Sequence, residues 1–229
     1  TLHCVHVTVL EVIQKSAEFL ARKDVDAPRL QTELLLAHLL QLPRMKLYLN
    51  FERTLSEAEL DAVRALVKRR GQREPLQHII GSTSFCGMEM AVNHNVLVPR
   101  PETELLAEAG WEFLNFLGGR RREEAQTEKP EKRQSLFTSP PTALDFGTGS
   151  GCLAIALAVK CPGARIVALD ASADALAVAR PNAERNGVSG RIEFFHGDGF
   201  AALPRNGSPG WGERPREPEA LPTNGSPGV

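Results

Sequence analysis

Apolar residues recur at helical spacing through the first third of the chain. Val9, Val12, Ile13, Phe19 and Leu20 share one face of a 3.6-residue repeat, with Lys, Glu and Gln between them, which predicts a helix over 8–22. Asp26 and Pro28 mark a second helix start, and Leu30, Leu34, Leu35, Ala37 and Leu39 carry that helix to about Leu40. Pro43 ends or restarts it. Ser56 and Glu59 have the spacing of a capping box, and Leu60, Val63, Leu66 and Val67 line the helix that follows, which stops near Gly71. Each stripe needs a neighbour to cover it, so residues 1–82 are expected to form a small helical bundle. Nothing in it looks catalytic. His38 reads as a packed or surface residue. Lys68-Arg69-Arg70 reads as a solvated helix end, where positive charge is favourable.

From Glu74 the pattern changes. Phe85, Met88, Met90, Val92, Val96 and Val98 alternate, and Asn93-His94-Asn95 is turn chemistry, so residues 83–98 predict a β-hairpin. Pro99 and Pro101 then fix an extended backbone around Arg100. Pro101, Glu102 and Glu104 suit a helix N-terminus. Leu105, Leu106, Ala109, Phe113 and Leu117 mark that helix, and Gly118-Gly119 is expected to close it. Taken alone, Arg100 and Glu102 read as a helix cap with a surface ion pair. Residues 119–141 are Arg, Glu, Lys, Gln and Ser with three prolines, a composition expected of a disordered insertion.

An α/β unit follows. A short apolar run, Thr142 to Phe146, enters Gly147-Thr148-Gly149-Ser150-Gly151, and the alanine-rich run Cys152 to Lys160 leaves it. That is a strand, a glycine turn and a helix. Glycines remove side chains where the backbone bends and where a ligand approaches, and the first N–H groups of the helix face that ligand. A dinucleotide fingerprint needs glycine at the first, third and sixth places. Here the glycines fall at the first, third and fifth, and Cys152 takes the sixth. This spacing resembles the first motif of class I S-adenosylmethionine (SAM) methyltransferases, with NAD, ATP or no ligand as alternatives. A second strand, Arg165 to Leu169, ends in Asp170, 23 residues past Gly147. A carboxylate there is placed to accept hydrogen bonds from both ribose hydroxyls. It could instead cap the next helix, but Ser172 already fills that role. That helix runs from Ala173 to Asn186, with Ala175, Leu176, Val178 and Ala179 inward. Pro181 should kink it, and Asn186-Gly187 is a left-handed stop. After a third strand, Ile192 to Phe195, Asp198 could accept from an adenine amino group. Phe200 could pack on a base or in the core.

Composition narrows the class. With 229 residues and a net charge of −1, the chain predicts a soluble protein of one full domain or two small ones, with no general basic surface for nucleic acid. No apolar run approaches a membrane span, and residues 1–10 do not read as a signal peptide. The chain begins at Thr1 rather than at methionine, so the start is read as incomplete. Four scattered cysteines without a C-x-x-C pair fit a reducing compartment and no zinc site. His3, Cys4 and His6 are candidate metal donors, at a terminus expected to fray.

The run Arg70-Gly71-Gln72-Arg73-Glu74-Pro75-Leu76-Gln77-His78-Ile79-Ile80-Gly81, the hairpin, and Val98-Pro99-Arg100-Pro101-Glu102-Thr103-Glu104-Leu105-Leu106 resemble the HemK/PrmC family over about residues 9–203. That family comprises protein-(glutamine-N5) methyltransferases acting on peptide-chain release factors. The resemblance implies an α/β fold: a class I SAM-dependent, Rossmann-like methyltransferase domain, incomplete, at 99–203. The helical bundle (1–82) and a hairpin linker (83–98) precede it. It implies that Gly147, Thr148, Gly149, Ser150 and Gly151 cradle the methionine part of SAM and that Asp170 holds its ribose. Asp198 and Gly199 would border the adenine, although Gly199 departs from the larger apolar residue that the family often places there. Arg100, Pro101, Glu102 and Thr103 would line the glutamine side, and the helical domain would grip the release factor. The implied protein is a cytoplasmic monomer without metal.

The family's Asn-Pro-Pro-Tyr loop is missing: Asn-Pro-Pro occurs nowhere in the chain. No catalytic residue is therefore assigned, and the chain alone is expected to have little or no activity. Residues 204–229 contain 11 Gly or Pro among 26 and repeat Leu-Pro-x-Asn-Gly-Ser-Pro-Gly at Leu203 and Leu221, which predicts a disordered tail. We read it as the product of a frameshift, insertion or truncation. The strand before the glycine loop would then lose a neighbour, and its apolar edge predicts poor solubility or misfolding. A methyltransferase for a ribosomal-protein glutamine, and a non-catalytic module that docks a translation factor, are the alternatives.

Overall fold

The structure is a computed structural model that describes residues 7–127 and 140–203. The metal candidates at His3, Cys4 and His6 and the tail at 204–229 lie outside the described residues, as does most of the proposed insertion. Helix α1 (Val9–Ala21) opens on a capping box of its own. Glu11 N–H donates to Thr8 Oγ1 at 3.3 Å, and Thr8 N–H donates to the Glu11 carboxylate at 2.9 Å. Helix α2 (Pro28–Leu39) is not capped by Asp26. The chain enters it through Ala27 at φ 44°, and Asp26 instead offers its carbonyl to Gln31 Nε2 at 2.7 Å. A short α3 (Arg44–Leu47) restarts after Pro43, and α4 (Glu57–Gly71) carries the expected Ser56–Glu59 box. Five residues form α5 (Leu76–Ile80) between Pro75 and Gly81, too few for periodicity to show. Val9, Ile13, Leu20, Leu35, Leu36 and Leu47 are fully buried at the centre of this bundle. Each such side chain stabilises by about 1.5–3 kcal/mol. Leu30, expected inside, is exposed.

The hairpin is shorter than its pattern suggested. Strands β1 (Ser82–Phe85) and β2 (Met88–Ala91) pair antiparallel, and the turn is Cys86-Gly87, with φ of 50° and 76°. Two positive φ values in a two-residue turn match the twist of the strands. Asn93-His94-Asn95 therefore comes after the hairpin. It is an Asx turn, with Asn95 N–H donating to Asn93 Oδ1 at 2.9 Å, and 96–98 is not a strand.

Helix α6 (Pro101–Thr127) does not stop at Gly118-Gly119. The residues beyond are Arg, Glu, Ala and Gln, strong helix formers, and a glycine inside a helix costs only about 1 kcal/mol. The charged stretch thus begins as helix, and 128–139 lie outside the described residues. The buried face of α6 is also not the one that the leucines suggest. Ala107 and Leu114 are buried, while Leu105, Leu106, Phe113 and Phe116 are more than half exposed. Gly110 explains the choice: a Cβ there would come within 3.0 Å of Leu157 Cδ2, so the small residues of this face admit the neighbouring helix closely.

The remaining elements are β3 (Thr142–Phe146), α7 (Cys152–Lys160), β4 (Arg165–Asp170), α8 (Ala173–Arg185) and β5 (Ile192–His196). The sheet is parallel in the order β3-β4-β5, with Phe146 opposite Leu169 and Asp170 opposite His196. Among the described residues, β3 is an edge with no partner on its outer side, as the sequence implied. Helix α8 runs through Pro181 and ends in a Schellman motif: Val188 N–H donates to the Ala183 carbonyl at 2.9 Å, with Gly187 at φ 70°. No helix among the described residues is long and apolar enough to cross a membrane.

Candidate functional site

Parallel strands deliver their carboxyl ends to one rim of the sheet, and the crevice there is where open α/β sheets hold ligands. Three segments meet at this rim in strand order. After β3 comes the glycine loop, after β4 Asp170, and after β5 Asp198, successive strands lying about 4.8 Å apart.

The loop is tied to its neighbour by backbone bonds. Gly147 N–H and Thr148 N–H both donate to the Leu169 carbonyl, at 2.8 and 3.0 Å. Gly149 N–H donates to Asp170 Oδ2 at 2.8 Å, and Ser172 N–H donates to Asp170 Oδ1 at 2.9 Å. Each carboxylate oxygen so keeps a lone pair for a further donor. Ser172 caps α8 itself, accepting from Ala175 N–H at 3.1 Å, which leaves Asp170 free of that duty.

The three glycines do different things. All have positive φ, at 76°, 54° and 80° for Gly147, Gly149 and Gly151. A Cβ on Gly147 would meet nothing within 4 Å, and one on Gly149 only the Gly147 carbonyl at 4.0 Å. These two face open space and form a cradle that side chains would fill. A Cβ on Gly151 would instead lie 3.1 Å from Ala179 Cβ, so this glycine serves packing against α8.

The side chains between them turn inward. Thr148 and Ser150 are buried, and Thr148 Oγ1 donates to Asp145 Oδ2 at 2.7 Å. Only their backbone can meet a ligand. Ala154 N–H, one of the helix donors expected to face the ligand, also goes to Asp145 Oδ2, at 3.1 Å. Burial pushes the Asp145 carboxyl above its ordinary range, against the opposing pull of those two bonds. Burial likewise pushes the Cys152 thiol up to about 11, so it is a neutral group beside the loop and no nucleophile.

Asp198 is exposed, and Gly199 has φ 68°. Phe200 lies neither in the core nor alone. It is 72% exposed, and its ring sits 5.6 Å from that of Phe146. Arg100, Pro101 and Glu102 are exposed at the start of α6, Thr103 is half-buried, and no ion pair joins Arg100 to Glu102 among the described residues. Glu104 reaches back to the hairpin turn, accepting from Cys86 N–H at 2.7 Å.

The PrmC N-terminal domain matches residues 11–81, and the methyltransferase small domain matches 134–207. A release factor glutamine methyltransferase of Chlorobaculum tepidum is 45% identical over 195 residues, covering 85% of this chain and 61% of that protein. The chain thus joins a PrmC N-terminal domain to a methyltransferase small domain. Release factor glutamine methyltransferases of Geobacter sulfurreducens and Nitratidesulfovibrio vulgaris are 39% and 38% identical, over 86% and 89% of this chain. The chain spans 60% and 61% of those two proteins.

One buried polar residue bonded to the glycine loop was not read from the sequence. Asn182 on α8 has no exposed surface, and its Nδ2 donates to the Ser150 carbonyl in the glycine loop at 2.9 Å. The available signal was a polar residue three places after Ala179, on the apolar face of its helix.

Proposed function

We propose that the chain binds S-adenosylmethionine across the carboxyl ends of β3, β4 and β5 and serves methyl transfer to a glutamine side-chain nitrogen in a peptide-chain release factor. The observation that carries the reading is the pairing of an open glycine cradle with an acid bonded to it: Gly147 and Gly149 face open space, and Gly149 N–H holds Asp170. Bound there, the cofactor supplies an electrophilic methyl group on a sulfonium sulfur.

The chain's own residues then divide the work. The backbone of Gly147 to Gly151 lies against the amino-acid part. Asp170 offers its remaining lone pairs to the ribose hydroxyls. Asp198 and Gly199, one strand further on, border the base. Arg100, Pro101, Glu102 and Thr103 line the glutamine side, and the helical bundle at the front holds the protein substrate. A primary amide nitrogen is a weak nucleophile and must be held close to attack geometry. No Asn-Pro-Pro run is present to do so, and we expect the 229-residue chain to bind cofactor without turnover. We place it in the cytoplasm as a monomer, where Cys86, Cys152 and Cys161 stay as the free thiols seen here.

Titration calorimetry with SAM, NADH and ATP tests the cofactor, binding of a release factor against a ribosomal protein tests the substrate, and methyl incorporation into either would overturn the expected lack of turnover. SAM binding alone of the three is expected. Saturation at about 100 times the dissociation constant should also stabilise the chain by roughly 2.7 kcal/mol. Binding of NADH and not of SAM would overturn the reading.

A further inference from the structure

Asn182 is the most deeply buried polar side chain among the described residues, and the cofactor reading gives it no contact with the ligand. Its amide bonds to two segments far away in sequence. Nδ2 donates to the carbonyls of Ala91 and Ser150, at 3.0 and 2.9 Å, and Oδ1 accepts from Ala91 N–H at 2.8 Å. Both backbone groups of Ala91 are thus taken by one side chain, as a neighbouring strand would take them. A polar residue kept for its own helix would bond a carbonyl one turn back, and Asn182 does not. Asn186 does, donating to the Asn182 carbonyl at 2.9 Å.

The two segments are the two sides of the site. Ser150 sits between Gly149, whose N–H holds Asp170, and Gly151, which packs on Ala179. Ala91 ends β2, and the chain runs from it through Val92 and Val96, buried against Ala175 and Val178, to Arg100. One face of α8 therefore carries the glycine loop and the strand that leads to the glutamine side.

We propose that Asn182 is a positioning residue whose single amide sets the glycine loop against the strand leading to Arg100–Thr103, so that a ligand ordering one side also orders the other. The identity of that ligand rests on the cofactor reading above. The coupling itself does not. Asn182→Asp keeps the acceptor but sets a carboxylate against the Ser150 carbonyl, and Asn182→Ser is too short to span the gap.

The test is hydrogen exchange on the full 229-residue chain, with and without SAM, beside SAM calorimetry and thermal melts. Val188→Ala, a core truncation outside both segments, is the control for stability loss. Without ligand, the Gly151 amide should exchange about tenfold faster in both Asn182 variants, as for a lost hydrogen bond of about 1.4 kcal/mol. The control should leave it unchanged at an equal loss of Tm. With SAM, the wild-type chain should show slowed exchange at Ala91 as well as in the loop, and Asn182→Ser only in the loop. Its SAM dissociation constant should rise about tenfold. Unchanged loop exchange in both variants, an equal effect of Val188→Ala, or loss of the folded state in both variants would overturn the proposal. If the wild-type chain binds no SAM, the cofactor reading fails, and the ligand-free exchange still decides the role of Asn182.

Discussion

Gly149 donates its backbone N–H to the carboxylate of Asp170 over 2.8 Å, joining the end of one strand to the end of the next. The acid proposed to hold a ribose is therefore also a strut of the loop proposed to hold the rest of the cofactor. Asp170→Ala removes both functions. A hydrogen bond to a charged group contributes about 1.5–3 kcal/mol, so SAM affinity should fall between tenfold and a hundredfold, with a lower Tm. Asp170→Asn keeps one acceptor and should fall less. Calorimetry on both variants checks the order.

Gly147 and Gly151 share a left-handed backbone but not their surroundings, and alanine should separate them. Gly147→Ala incurs only the left-handed strain, about 1–2 kcal/mol, because its Cβ meets nothing within 4 Å. Gly151→Ala adds a contact of 3.1 Å to Ala179 Cβ, so overpacking should raise its total to about 3 kcal/mol. The melting curve should drop further for Gly151→Ala. Per degree of Tm lost, SAM affinity should suffer more in Gly147→Ala, whose methyl group enters the cradle.

Asp145 sets a pH dependence of unusual sign. Burial raises its folded pKa above the ordinary 3.8, so the folded chain prefers the neutral acid. Its contribution is most favourable below 3.8 and shrinks as the pH rises through the folded value. Glu59, Glu74 and Glu193 act the other way. Backbone bonding to Ser56 lowers the first, and bonds to Arg69 and Arg165 lower the others, so their contribution is lost as the pH falls. These common groups cancel when Asp145→Asn is compared with wild type. The stability of the variant relative to wild type should rise as the pH climbs above 3.8 and level off once it has passed the raised folded value. Urea unfolding across that range measures it, and a flat difference would refute the assignment.

Cys152 lies beside the glycine loop yet should be inert. With its thiol pushed up to about 11 by burial, alkylation by iodoacetamide should be slow at neutral pH and climb steeply only towards pH 11. Peptide mass spectrometry after timed alkylation reads this residue apart from Cys86 and Cys161, whose thiols burial also raises.

Glu33 is a buried charge in the helical bundle, 2% exposed, and accepts from Arg29 at 3.1 Å, Arg44 at 3.0 Å and Tyr48 at 3.0 Å. Its partners sit near the surface and can rehydrate. Glu33→Ala should therefore cost about 2–3 kcal/mol, mainly as a cavity, and Glu33→Leu should be nearly neutral. Thermal or urea melts distinguish the two. A large loss in both would show that the ion cluster itself sustains the bundle.

The sequence by itself determined the local elements and their chemistry. The periodicity of Val9 to Val67, the box at Ser56 and Glu59, the glycine loop, Asp170 at a strand end and the stop at Gly187 all follow from interactions within a few residues. Tertiary structure decided what depends on distant partners. Propensity placed the hairpin turn at Asn93 to Asn95, but the strand twist selected Cys86-Gly87. Apolar content favoured Leu105, Leu106 and Phe113 as the inner face of α6, but close approach to Leu157 selected Ala107, Gly110 and Leu114. Asn182 was illegible for the same reason. Its partners stand 91 and 32 residues away, and a polar side chain on an apolar face declares a bond without naming the acceptor. Backbone propensity is local and can be read along the chain. Complementarity between surfaces forms only when they meet.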